Sequence, residues 1–175
     1  MLPKICNQRT KEIWRYLKKI KWDDKNVIDL GAGRGDIAFR IAENGGYVTC
    51  YENDFANYQS LKERSLGIDG QMILINDDIE RLYARGIKGN YDIGLCLSTL
   101  PYLSHPGDLL GWMYYYCDIS IIECQYYNDG IGEKLHILND DDMAEWLNNI
   151  GWDKVEKIGQ SLTNLDIYRS IWKCE

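Results

Sequence analysis

The stretch Asn26-Val27-Ile28-Asp29-Leu30-Gly31-Ala32-Gly33-Arg34-Gly35-Asp36-Ile37-Ala38-Phe39-Arg40-Ile41-Ala42-Glu43-Asn44-Gly45 decides how the rest of the chain is read. Val27, Ile28 and Leu30 form a short apolar run suited to a buried parallel strand, and Asp29 interrupts it near the point where the strand should emerge. Gly31, Gly33 and Gly35 follow at alternate positions, where the lack of a Cβ lets a ligand lie against main-chain atoms. Ile37, Ala38, Ile41 and Ala42 then recur at helical spacing, with Arg34, Arg40 and Glu43 off that face, and Gly45 and Gly46 stop the helix. Strand, glycine turn and helix in this order make a unit that cradles a ligand.

The glycine spacing separates two ligand classes. A dinucleotide fingerprint is Gly-x-Gly-x-x-Gly, with a pyrophosphate at the following helix N-terminus. Here the last of those positions is Asp36, and a carboxylate in the first helical turn repels a phosphate. The Gly-x-Gly-x-Gly pattern behind Asp29 instead resembles the first motif of the class I S-adenosylmethionine-dependent methyltransferases, whose ligand has a sulfonium, an amino acid and a ribose but no phosphate. The resemblance implies cofactor contacts at Asp29, Gly31, Ala32, Gly33 and Gly35.

The chain's 175 residues suit one domain. A net charge of −7 argues against a broad nucleic-acid footprint, which requires a basic stripe. Cys6, Cys50, Cys96, Cys117, Cys124 and Cys174 show no Cys-x-x-Cys spacing, and several lie in apolar runs, so they read as reduced core residues rather than a disulfide framework. No apolar segment reaches the ~18 residues of a membrane span. A protein of a reducing, cytoplasmic compartment is expected, without a membrane partner. Thr10 to Ile20 is helix-like, with Ile13, Leu17 and Ile20 on one face. Its Arg15, Lys18 and Lys19, with Lys21, form the only dense basic cluster, which reads as a solvated helix face.

Tyr47 to Tyr51 is β-prone and ends at Glu52. Ligands of open α/β sheets sit beyond the carboxyl ends of the strands, so Glu52 falls near the glycine turn. By the family resemblance it is the acid that accepts hydrogen bonds from the ribose diol, with Asn53 beside it. Phe55 to Ser65 reads as a helix and Met72 to Ile75 as the third strand. In the family an Asp just past this strand accepts from the adenine amino group and the next backbone amide bonds the ring. Asp78 followed by Ile79 matches this pattern, and Asp77 competes with it; either acid also suits a helix cap. Tyr91 to Leu103 holds the fourth strand and its exit, with Asp92 at the strand entry. It resembles the motif whose following residues line the place where cofactor and acceptor meet, which implies Ser98 as a cofactor contact. The Asn/Asp-Pro-Pro-Tyr/Phe tetrapeptide of many amino-methyltransferases is missing.

Asp108 to Tyr116 reads as a helix, Ile119 to Cys124 as a fifth strand with Glu123 near its end, and Asn139 to Ile150 as a helix opened by Asp140, Asp141 and Asp142. Those three acids complement a helix dipole, and no metal is expected. Trp152 to Ile158 and Ile167 to Cys174 are strand-like. The resemblance therefore implies an α/β three-layer sandwich, Rossmann-like, with a mostly parallel seven-stranded sheet whose last strand is antiparallel. Residues 1–175 would form one methyltransferase domain, with residues 1–25 a helical extension. The implied activity is methyl transfer from S-adenosylmethionine, leaving S-adenosylhomocysteine, to a small-molecule or other compact acceptor. Tyr102, His105, Glu123 and Tyr126 are the candidates to assist the acceptor. The rival readings are a non-catalytic S-adenosylmethionine-binding regulator or subunit of a methyltransferase complex, and an RNA or protein methyltransferase. A protein partner or a homodimer is compatible with the sequence.

Overall fold

The computed structural model describes residues 8–68, 70–86, 88–125, 137–162 and 168–175. The elements are α1 (Gln8–Leu17), β1 (Asn26–Leu30), α2 (Asp36–Glu43), β2 (Tyr47–Tyr51), α3 (Phe55–Ser65), β3 (Met72–Ile75), α4 (Glu80–Ala84) and β4 (Tyr91–Leu97). A single 3-10 turn (Leu100–Tyr102) leads to α5 (Pro106–Tyr116), β5 (Cys117–Cys124), α6 (Asp140–Ile150), β6 (Val155–Leu162) and β7 (Tyr168–Cys174). The seven strands form one sheet in the order β3-β2-β1-β4-β5-β7-β6. β1 to β5 pair in parallel, and β7 runs antiparallel to both β5 and β6.

Successive side chains of a strand point to opposite faces, so each strand divides its apolar residues between two cores. Ile28, Leu30, Cys96 and Ile122 pack with Leu82 of α4, Leu109 and Met113 of α5, and Met143 and Leu147 of α6. On the other face Val27, Leu95 and Ile121 pack with Ile13 and Leu17 of α1, Ile37 and Ile41 of α2, and Leu61 of α3. This parity places Asp29, two residues after Val27, on the α1–α2–α3 face.

The N-terminal helix is built into this layer. Tyr16 packs so closely on Gly159 of β6 that a Cβ there would lie 2.2 Å from the ring. Glu12 accepts a hydrogen bond from the Leu162 amide at 2.5 Å. The three adjacent acids are used locally: Asn139 caps α6 by accepting from the Asp141 and Asp142 amides, Asp140 pairs with Lys157 and Ser170, and Asp142 accepts from the Leu138 amide. Asp92 pairs with Lys25 and accepts from the Asn26 amide at the entry side of the sheet. The described cysteines are buried and free, and burial pushes the thiols of Cys96, Cys117 and Cys174 up to about 12. No described helix is long and apolar enough to cross a membrane.

From β1 the chain steps outward to β2 and β3, then returns to add β4 on the other side of β1. At such a reversal the connections leave in opposite directions and open a crevice beyond the strands' carboxyl ends. Gly31 follows β1 and Ser98 follows β4, so both fall at this crevice.

Candidate ligand cavity

All three glycines of the turn have positive φ: +82° at Gly31, +58° at Gly33 and +77° at Gly35. An L side chain pays strain in that region, so each position favours glycine. Their surroundings differ. A Cβ on Gly31 would strike the Thr99 hydroxyl, which donates to the Leu30 carbonyl at 2.8 Å. A Cβ on Gly35 would strike Leu61 and Phe39, so this glycine serves the packing of α2 on α3 and lines neither cavity. A Cβ on Gly33 would meet nothing within 4 Å, because Gly33 faces open space.

That space is a cavity of about 530 Å³, in the range of small-molecule sites. Gly31 and Gly33 line it from β1, Glu52, Asn53 and Asp54 from β2, Asp78 and Ile79 from β3, and Ser98, Thr99 and Tyr102 from β4. A second cavity of about 260 Å³ shares Gly31, Gly33, Asn57 and Leu97 with the first and adds Arg9, Thr10, Asp29, Ala32 and Arg34.

Glu52 is the best-defined group of the larger cavity. It is 6% exposed; Oε2 accepts from the Gly33 amide at 2.7 Å and Oε1 from the Asp54 amide at 2.8 Å. Each carboxylate oxygen accepts more than one bond, so this anchoring leaves acceptor capacity for a ligand diol. Asn76 donates to the Glu52 carbonyl at 2.7 Å and steadies the same loop.

The doubled acid after β3 divides in two. Asp77 accepts from the Asp78 amide and pairs with Arg81 and Arg85, away from the lining of both cavities. The Asp78 amide bond, despite opposing desolvation, together with the two arginines, holds its carboxyl below the usual range. Asp78 lines the larger cavity, with Oδ1 accepting from the Glu80 amide at 2.9 Å, and the buried Ile79 lies beside it.

Asp29 lines the smaller cavity at 3% exposure. Burial raises its pKa to about 7, against the lowering effect of Arg9, with Glu52 adding to the rise. Asp36 is paired with Arg64 at 2.8 Å. The repulsion of phosphate expected from Asp36 is thus partly cancelled, and the acidity of the site comes instead from Glu52, Asp54, Asp78 and Glu80.

The acceptor-side candidates separate as well. Tyr102 is 83% exposed and lines the larger cavity. His105 is exposed just before α5, its amide donating to Glu80 at 3.3 Å, and it lines neither cavity. Tyr126 lies outside the described residues. Glu123 is fully buried and saturated: Arg9 binds it through Nε, at 3.1 Å to each oxygen, and through Nη2, while Ser98 and Ser161 donate to it. Burial pushes the Glu123 carboxyl up, but the Arg9 charge and the bonds from Arg9, Ser161 and Ser98 outweigh it and hold the group below its ordinary value. A carboxylate so held is a poor proton acceptor, which counts against Glu123 among the four candidates to assist the acceptor. Ser98 has φ +62°, unusual for a side-chain-bearing residue, and its hydroxyl is engaged by Glu123 and Arg9. Sequence alone assigns no site role to Arg9 or Asn57, and it places Thr99 on the crevice side of the sheet without giving it one. Arg9 gave no signal, because the residue it binds is 114 positions away.

Sheet order, the single antiparallel strand and the crevice at β1/β4 define the class I methyltransferase fold. Solved structures agree with it. The chain is similar to magnesium protoporphyrin IX methyltransferase (ChlM) from Synechocystis PCC 6803 with bound SAM, at TM-score 0.72 and 16% identity, covering 93% of this chain and 74% of that one. It is also similar to the N-terminal domain of EvdMO1, crystallised with SAH and D-fucose (TM-score 0.74, 16% identity, 98% and 84% covered). The bifunctional kinase-methyltransferase WbdD matches at TM-score 0.75 and 18% identity over 98% of this chain, which spans 40% of that protein. No family model matches the chain, and no curated protein does.

Proposed function

We propose that this chain binds S-adenosylmethionine in the two adjoining cavities and is a methyltransferase acting on a small-molecule or other compact acceptor, with S-adenosylhomocysteine as the product. The observation that carries the reading is Glu52, a buried carboxylate fixed by the Gly33 and Asp54 amides at the edge of a cavity that Gly33 leaves open. A ribose diol is the ligand group such a carboxylate suits. Asp78 and Ile79, one strand further out, stand where an adenine edge would meet an acceptor and a backbone amide. Asp29 and the glycine turn receive the remaining, amino-acid end.

The charge of the site supports a cationic ligand. Among the described residues the larger cavity is lined by Glu52, Asp54, Asp78 and Glu80 and by no lysine or arginine. A pyrophosphate there would lie among carboxylates with no lysine or arginine in the lining, whereas S-adenosylmethionine supplies a methyl group already activated on a sulfonium.

The chain's own contribution is then alignment. Glu52 orients the nucleoside, the glycine turn lets it approach the main chain, and Ser98 and Thr99 close the β4 side. Effective molarities of about 10⁵–10⁸ M show what such positioning contributes to a displacement. Tyr102, at the open rim, is the residue we assign to the acceptor side.

The test is methyl transfer from labelled S-adenosylmethionine to pools of small amines, phenols, carboxylates and thiols, with RNA and protein pools as further arms. Labelling of a compact acceptor that is lost in Glu52→Ala supports the reading. Labelling confined to RNA or protein replaces the acceptor class, and tight binding of S-adenosylhomocysteine with no transfer in any arm favours a binding subunit.

A further inference from the structure

Arg9 does more than pair with Glu123. From α1, the guanidinium reaches over the carboxyl ends of β4 and β5: Nε bonds both Glu123 oxygens, and Nη2 bonds Glu123, the Leu97 carbonyl at 3.3 Å and the Ser98 hydroxyl at 3.2 Å. Ser161 of β6 donates to the same carboxylate, so one ion pair joins four elements. Arg9 and Thr10 of α1 line the smaller cavity together with Asp29 and the Gly31–Gly33 turn.

We infer that Arg9 is a positioning residue for the amino-acid end of the ligand, tying α1 across the strand ends so that this helix becomes the wall of the smaller cavity. The inference rests on the nucleoside reading of the larger cavity. With ribose at Glu52 and adenine at Asp78, the portion beyond the glycine turn falls in the smaller cavity, which adjoins the first at Gly31, Gly33, Asn57 and Leu97. Arg9 acts there by lining the same small cavity as the buried Asp29, so that its charge favours the ionised carboxylate that receives an ammonium, while its bonds to the Leu97 carbonyl and the Ser98 hydroxyl hold α1 in place at the end of β4. A purely architectural ion pair would hold the fold without favouring one end of the ligand.

That difference is measurable. The full chain, Arg9→Ala, Arg9→Lys and Glu123→Gln are titrated with S-adenosylhomocysteine and with 5′-methylthioadenosine, which has the nucleoside and thioether but no amino-acid end. Circular dichroism melting follows the fold. Arg9→Ala is expected to weaken S-adenosylhomocysteine by about tenfold or more while methylthioadenosine stays within about twofold, with Arg9→Lys and Glu123→Gln intermediate because each keeps part of the hydrogen bonding. Parallel loss of both ligands, no loss of either, or collapse of the melting transition in all three variants overturns the inference and leaves the pair an architectural one. A wild-type chain that binds neither ligand overturns the cofactor reading itself, which separates the two failures.

Discussion

Glu52 and Glu123 both stand at the carboxyl ends of parallel strands, both are buried, and the two have opposite fates. Glu52 is held by two backbone amides and faces a cavity, so its charge remains directed at whatever enters. Glu123 is neutralised by Arg9 and further bonded by Ser98 and Ser161, so its charge is turned inward to fasten α1. A strand-end carboxylate is therefore a ligand group only when no cation of the protein reaches it first.

Exchanging the two glutamates for alanine should break this contrast most sharply. If Glu52 holds the ribose as proposed, Glu52→Ala removes two charge-assisted bonds to the diol, each worth about 1.5–3 kcal/mol, so S-adenosylhomocysteine should bind about 100-fold more weakly or worse by calorimetry. Glu123→Ala should instead lower stability by about 3 kcal/mol, the low end for breaking a buried pair, because Arg9 keeps some contact with solvent. Chemical denaturation reads that loss. Equal effects of the two substitutions on binding would erase the distinction.

The glycines repeat the contrast at smaller scale. Gly35→Ala places a methyl group 2.3 Å from Leu61 Cδ1 at φ +77°, and should cost about 2–4 kcal/mol of stability. Gly33→Ala meets no protein atom, so its stability cost is only the backbone strain of about 1–2 kcal/mol. Its larger effect should be on ligand affinity, measured in the same titration.

Much of this was legible in sequence between Val27 and Glu52, where strand, turn, helix and strand-end acid follow one another and the pattern is local. Element order was readable to the C-terminus for the same reason, with shifts of a few residues: β6 begins at Val155 rather than Trp152, and α5 at Pro106 rather than Asp108. The contacts that assign roles were not readable. Arg9 with Glu123, Arg64 with Asp36 and Thr99 against Gly31 each join residues from different elements, and no periodicity reports which charges meet. Gly35, indistinguishable in sequence from Gly33, turns toward α3 only because α2 packs there.

Asp29 gives a pH test of the cavity side. Its folded pKa of about 7 lies above the ordinary 3.8, so the folded chain keeps a proton that the unfolded chain releases, and this group's contribution to stability falls as pH rises from about 4 to about 7. Ligand binding has the opposite sign. Ionised Asp29 attracts an ammonium, so affinity for S-adenosylhomocysteine should rise by up to about tenfold between pH 6 and pH 8, and Asp29→Asn should flatten the profile. The smallest contrast is between the adjacent acids: Asp78→Ala should weaken S-adenosylhomocysteine about fivefold, whereas Asp77→Ala, which removes surface pairs with Arg81 and Arg85, should leave affinity within about twofold.

The most direct measurement is a calorimetric titration of the full chain with S-adenosylhomocysteine, S-adenosylmethionine and NADH, run side by side. The expected result is saturable one-to-one binding of both sulfur nucleosides in the micromolar range and no binding of NADH to the acid-lined cavity. Binding of NADH with none of the sulfur nucleosides would contradict the assignment of Glu52 and the glycine turn to a phosphate-free, cationic ligand.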